Sequence, residues 1–334
     1  MHFAFTDEHD MFRDTVRGIF ASECSAEAIR ESWDSADGRV RGLWSTLAEV
    51  GVLAIMAPTE AGGLGMDEVA LVRVLEEAGY GGVPEPLVEH VAVAVPALAT
   101  AGASELLDSA INGESICTVA LATGGPNVVA QVAADLVVAE HSGSLLAVDS
   151  GALTVAPKDS IDQSRRLAEI SFDPDAATLL AGADVALASD RAALGTAAQC
   201  VGVARRLLDF TVEYVRERRQ FGKPVGSYQA VKHHLANVRL GIEFSAPLVY
   251  RAAWSVAHSD DAAVRGRDVS MAKATASDAV DRSCRAALQC HGAIGYTYEY
   301  DLQIWLKRGW SLSGAYGTAS QHRDRVAGTL GLLG

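Results

Sequence analysis

No uninterrupted apolar stretch reaches the ~18 residues of a membrane-spanning helix, so no span is expected. Positive charge is scarce: 28 Lys and Arg stand against 42 Asp and Glu, a formal net charge of −14. That balance argues against general nucleic-acid binding and against a polybasic membrane patch, which both need a positive field. Cysteine is sparse, and Cys24, Cys117, Cys200, Cys284 and Cys290 show no CxxC spacing. An odd, scattered set reads as reduced core thiols, not as a disulfide frame or a zinc site. The opening residues MHFAFTDEHD put acids where a secretory signal has a basic start and an apolar core. The expectation is a cytoplasmic protein. Its hydrophobic fraction of 49% lies in the globular range, and 334 residues suffice for two or three packed domains.

What is present changes texture twice along the chain. Residues 1–113 read as an α-helical domain. DEHDMFRDTVRGIFASE sets Met11, Phe12, Val16, Ile19 and Phe20 on one stripe, and LWSTLAEVGVLAIMAP repeats the pattern up to a proline. After a glycine-rich loop, a helix with Val69, Leu71, Val72 and Leu75 inward is expected to stop at the AGY after Glu77. Over 114–183 the runs are short and valine-rich (DLVVAE, SLLAVD, ALTVAP, LAEISF), with hairpin punctuation between them. They predict a small antiparallel β domain. Residues 184–334 are helical again, with Pro247 expected to kink or divide the second long helix.

The densest positive cluster lies in RERRQFGKPVGSYQAVKHHLANV, where Arg216, Arg218, Arg219 and Lys223 flank a glycine- and proline-bearing turn between two helices. Taken alone, such arginines are a solvated helix end favoured by the helix dipole. The adjacent His233 and His234 point about 100° apart on a helix and cannot chelate one metal together. His322 is expected at the surface. GGLG at 62–65 follows no strand and lacks a spaced third glycine, so it is not a dinucleotide fingerprint.

In order and in wording, these strings resemble the acyl-CoA dehydrogenase family. RRQFGKPVGSYQAVKHHLANV is similar to the segment joining the first two helices of that family's C-terminal four-helix bundle. LQCHGAIGYTYEYDLQIWLKR resembles its second signature, and LAEVGVLAIMAPTEAGGLG resembles its N-terminal Pro-Glu-x-x-Gly-Gly loop. The resemblance implies a mainly α fold with an N-terminal helical domain, a reduced middle β domain and a C-terminal four-helix bundle. It also implies oxidation of an acyl-CoA between Cα and Cβ with FAD as hydride acceptor and an electron-transfer flavoprotein as the onward partner. Arg218 falls on the family's arginine that reaches a neighbouring subunit's FAD. Phe221 and Gln229 match positions at the adenosine half. Gln289 and the backbone of His291, Gly292 and Ala293 match a loop clasping FAD across the dimer, where glycine admits a phosphate close to the backbone. His291 stands where the family usually has an apolar residue or glycine.

Three departures limit the match. The family's base is a glutamate before the last helix, and AYGTASQHRDR puts Gly317, or Tyr316 in the alternative register, at its place. Asp190 is the weak remaining candidate, though an Asp there is more often a partner of the helix N-terminus. The β domain is short, and ALATGGPN (120–127) lacks the acid of the family's flavin-facing string. The acyl groove must therefore be reduced. Three readings stay open: a self-sufficient homo-oligomer with an unrecognised base, a flavin-free interaction protein, and a shortened subunit beside a base-bearing partner, as in heteromeric dehydrogenases of steroid side-chain thioesters. The last explains why the cross-subunit FAD positions are kept while the same-subunit ones are missing.

Overall fold

Thr6 starts the first helix, its hydroxyl accepting the His9 amide at 3.3 Å, and three acids occupy the positive end of the helix that follows. The computed structural model describes residues 4–124, 128–129 and 133–332. In the N-terminal region α1 (Asp7–Glu23), α2 (Ala26–Asp34), α3 (Leu43–Glu49) and α4 (Glu68–Gly81) are followed by a π-helical segment, Val88–Ala94. That segment runs directly into α5 (Val95–Thr100), and α6 (Ser104–Ile111) closes the region. Val16 and Phe20 of the expected α1 stripe are buried, whereas Met11 faces solvent. α3 is shorter than expected, because Gly51 at φ +80 turns the chain before Val52, Leu53 and Ile55 enter the core.

α4 does not stop at the AGY. It continues through Gly79 to a left-handed cap at Gly82. Gly79 is there for packing: a Cβ on it would overlap the Gln199 carbonyl, and one on Gly202 would overlap the Glu76 carbonyl. The two helix backbones therefore touch at their crossing, an approach that only glycine permits.

The middle region carries β1 (Cys117–Ala120), β2 (Val128–Val129), β3 (Leu136–His141), β4 (Ser144–Asp149), β5 (Thr154–Pro157), β6 (Ala168–Ser171) and β7 (Thr178–Leu179). One sheet has the order β1-β3-β4-β7 and the other β2-β6-β5. The expectation of an antiparallel domain needs one correction, since β1 pairs parallel to β3, with Cys117 opposite Leu136. The long connection 121–135, which holds β2 in the other sheet, returns the chain to the same end and makes that pairing possible. Residues 125–127 of the ALATGGPN string lie outside the described residues.

The C-terminal region begins with α7 (Val185–Glu217), which leads into a hairpin of β8 (Arg219–Gln220) and β9 (Lys223–Pro224). α8 (Gln229–His258), α9 (Ala262–His291), α10 (Leu302–Gly314) and α11 (Ala319–Thr329) complete it. α7 to α10 pack together and α11 lies along α9. Pro247 is carried inside α8 without dividing it. One hydrophobic core runs through the N-terminal helices, part of the first sheet and the bundle. Among the described residues no helix is long and apolar enough to cross a membrane.

Candidate cofactor groove and the Gly317 loop

The cationic stretch ends α7 and turns at once. Arg218 is the helix C-cap, and Arg219 and Gln220 pair with Pro224 and Lys223 across a two-residue turn, Phe221-Gly222. Both turn residues have positive φ, 51° and 84°, the geometry that hairpins favour but an aromatic residue resists. Phe221 nevertheless stands at the tip, 91% exposed. Such a strained, uncovered aromatic residue points to a function outside the chain's own packing. Val225 N donates to Arg218 O at 2.8 Å and the Lys223 ammonium lies 4.3 Å from the Tyr228 ring, so the hairpin is fixed against the start of α8.

Beside it is a groove of about 590 Å³ lined by Arg218, Gln220, Tyr214, Gln289, His291, Gly292, Ala293 and neighbours from α8. The structure thus gathers Arg218, Gln289, His291, Gly292 and Ala293 from segments some seventy residues apart. Gln229 opens α8 next to the lining residue Ala230, and Phe221 stays off the groove at the hairpin tip. A second groove of about 570 Å³, between the outward faces of α8 and α9, shares His234 and Gln289 with the first.

Arg216, Arg218, Arg219 and Lys223 make no ion pair among the described residues, although most of the chain's other arginines do. In an acidic protein, unneutralised cations around a groove suit a phosphate-bearing ligand. Tyr214, Gln220 and His234 were not legible as groove residues. Tyr214 is one more aromatic residue of α7, and its ring meets His291 only in the folded chain, 4.2 Å away and nearly parallel. Among the described residues no cluster of His, Cys, Asp and Glu is placed to hold a metal ion.

The Gly317 loop, where the resemblance places the family's glutamate, is closed by internal bonds. Gly317 has φ +106, and a Cβ there would stand 2.6 Å from His322 Nε2. The preceding Tyr316 is buried at φ 52, its hydroxyl donating to Glu89 Oε1 at 2.8 Å. Arg165 lies 3.7 Å from the same carboxylate and donates to Ser311 Oγ at 3.3 Å. Burial, then the Glu89 charge, push the Tyr316 hydroxyl far above the usual tyrosine range. Beneath the loop, Lys273 is 0% exposed and donates to Ser277 Oγ at 2.8 Å, Ser313 O at 3.0 Å and Gly317 O at 3.1 Å. It caps the C-terminus of α10 with a charge and ties it to the Gly317 loop. Burial pushes its pKa down.

His322, expected at the surface, is buried instead. It packs against α9 with Nδ1 3.1 Å from Ser270 Oγ and Nε2 3.0 Å from Tyr316 O. Asp190 does not serve the α7 N-terminus either. Asp184 is the N-cap, accepting the Ala186 and Leu187 amides. Asp190 is 1% exposed and bound to Arg325 Nη1 at 2.6 Å. Burial raises its pKa, with the Arg325 hydrogen bond and charge opposing.

Comparison with known proteins identifies the family. The acyl-CoA dehydrogenase N-terminal domain matches residues 6–111 and the acyl-CoA dehydrogenase C-terminal domain matches residues 182–331. Acyl-CoA dehydrogenase IpdE2 of Mycolicibacterium smegmatis is 36% identical over 305 residues, 91% of this chain and 92% of that protein. Among solved structures, a Tcur3481-Tcur3483 steroid ACAD variant superposes with a TM-score of 0.91 at 26% identity, covering 97% of this chain and 98% of that one. The ChsE4-ChsE5 complex from Mycobacterium tuberculosis gives 0.88 at 25% identity, with 99% of each chain covered. The chain belongs to the acyl-CoA dehydrogenase family.

Proposed function

We propose that this chain is the base-lacking subunit of a heteromeric, FAD-dependent acyl-CoA dehydrogenase, active on an acyl-CoA thioester of steroid side-chain type. The observation that carries the reading is a contrast between two places. Where the family's glutamate stands, the loop is glycine and a tyrosine bonded to Glu89. Where cofactor phosphate is bound across subunits, the cations are exposed and unpaired beside an open groove. Relatives described as the ChsE4-ChsE5 complex and as a Tcur3481-Tcur3483 steroid ACAD support a partner of the same family.

Bound FAD would supply the hydride acceptor for Cβ, and a base would be needed to take the proton from Cα. This chain's residues hold and orient. Arg218 would neutralise phosphate, Gln229 and Gln289 would bond the nucleotide half, and the 291–293 backbone would close over it. The partner supplies the glutamate, and an electron-transfer flavoprotein takes the electrons onward. The outward face of α8 carries exposed Leu240 and a 72% exposed Phe244. It gives the partner an apolar seat on the bundle.

Expression of the chain alone and together with a base-bearing family member, followed by flavin absorbance, tests the reading. Colour only after co-expression supports it. A yellow isolated chain supports a self-sufficient enzyme, and a colourless protein with every partner supports a flavin-free role.

A further inference from the structure

A cavity of about 250 Å³ opens between α1, the start of α2, α4, α7 and α10. Phe20, Ala21, Cys24, Tyr80, Phe210 and Trp305 wall it, and it shares no lining residue with the groove beside Arg218. Two carboxylates border it, and both are already paired. Glu77 is held by Arg17 Nη2 at 2.8 Å and Arg205 Nη1 at 3.5 Å, and Asp301 by Arg30 Nη2 at 2.8 Å. Arg206 is different. Among the described residues it forms no ion pair and no hydrogen bond. Its guanidinium lies over rings that line the same cavity, 4.7 Å from Trp305, 5.5 Å from Tyr80 and 5.6 Å from Phe210. A guanidinium stacked in this way spends its face on the rings and keeps its N–H edge for a partner. Nε is shielded and unpartnered, whereas the terminal nitrogens keep contact with solvent. Burial, then the Glu85 charge, push the Cys24 thiol up to about 12, so that part of the wall is neutral.

We propose that this cavity binds a small monocarboxylate with an apolar body, its carboxylate held by the terminal nitrogens of Arg206 and its body lying among Phe20, Phe210 and Trp305. The planar fork of a guanidinium matches the two oxygens of a carboxylate and holds them as a pair. Arg206 is the guanidinium at this cavity left without a carboxylate, so one negative charge completes the site. A dianion would keep a second charge uncompensated beside Glu77 and Asp301, which makes phosphate or sulfate the poorer ligand. The aromatic walls favour an apolar body over a polar one. About 250 Å³ falls below the roughly 300–1,000 Å³ of pockets for drug-sized ligands, which limits that body to a short chain or a single ring. The site is independent of the cofactor reading of the Arg218 groove.

Calorimetric titration of the full chain with hexanoate, hexan-1-ol and sulfate tests the site. Hexanoate should bind, with hexan-1-ol about tenfold to a hundredfold weaker, because the alcohol lacks the charge that Arg206 meets. Sulfate should bind more weakly than hexanoate. Arg206→Gln should weaken hexanoate by about tenfold to a hundredfold and leave hexan-1-ol unchanged. Arg206→Lys keeps the charge without the fork and should fall between parent and Gln variant. Ala21→Leu, at an exposed helix position on the cavity wall, fills the space for the apolar body and should also weaken hexanoate. Hexan-1-ol binding as tightly as hexanoate would reduce the cavity to an apolar hollow and overturn the proposal. Sulfate binding as tightly would reduce Arg206 to an exposed cation and overturn it too. So would the absence of any hexanoate binding, or unchanged affinity in Arg206→Gln. Should Arg206→Gln fail to fold, Ala21→Leu decides, and unchanged hexanoate affinity there overturns the proposal.

Discussion

At the scale of single residues, the site divides into groups that are committed inside the chain and groups that are free. Asp190 is committed to Arg325, so Asp190→Asn should leave the dye-coupled rate of the assembled complex within a few-fold of the parent. A loss of a hundredfold or more would mean that the base is here after all, since general-base catalysis contributes roughly 10²–10⁴-fold. Arg218 is free, and a charge-assisted contact to phosphate contributes roughly 1.5–3 kcal/mol. Arg218→Ala should therefore weaken FAD retention by about tenfold to a hundredfold without changing the urea midpoint. Retention equal to the parent would reduce Arg218 to a solvated helix end. Glu85 gives a pH prediction away from the groove. It is buried, accepts the Val40 amide at 3.1 Å, and burial pushes its pKa up to about 8, opposed by Arg39. Between the usual carboxylate range and about 8 the folded chain keeps a proton that the unfolded chain releases. Stability thus falls as pH rises through that window, by at most ~1.4 kcal/mol per unit. Glu85→Gln should flatten the decline and be more stable than the parent at pH 8. A parent and variant with parallel Tm profiles from pH 5 to 9 would contradict this.

At the scale of elements, α4 and α7 cross with their backbones in contact at Gly79 and Gly202. Gly202→Ala should cost ~2 kcal/mol or more, because overpacking against a backbone carbonyl outweighs the helix-propensity gain. Gly241→Ala in α8 has Ala279 at an ordinary 3.6 Å and should stabilise by ~0.5–1 kcal/mol. Urea midpoints compare the two, and a Gly202→Ala variant as stable as the parent would mean a looser crossing. The same pair shows what the sequence could and could not convey. Helix and strand positions were legible because apolar periodicity and turn residues are local signals. AGY read as a stop because a glycine that ends a helix and one that admits a neighbouring helix look alike until the neighbour is placed. The parallel β1–β3 pairing was hidden for a related reason, since strand direction depends on where the 121–135 connection travels. His322 read as surface because α11 is short and polar, while the loop that covers the imidazole is fixed from below by Lys273.

At the scale of the molecule, the candidate site was legible where its residues form strings, as Arg218 and the 289–293 segment do. Tyr214, Gln220 and His234 joined it only through folding, and Glu89 reached Tyr316 from the N-terminal region across 227 positions. Nothing local marks that last contact, yet it helps to close the Gly317 loop. On the proposed reading, this chain lends cofactor contacts and no base. That reading is tested most directly by dye-coupled dehydrogenation of an acyl-CoA by this chain alone, by a base-bearing family partner alone, and by the two co-expressed. The expected result is turnover from the co-expressed pair, abolished by replacing the partner's glutamate with glutamine, and none from this chain alone. Turnover by the isolated chain, or turnover that survives loss of the partner's glutamate, would contradict it.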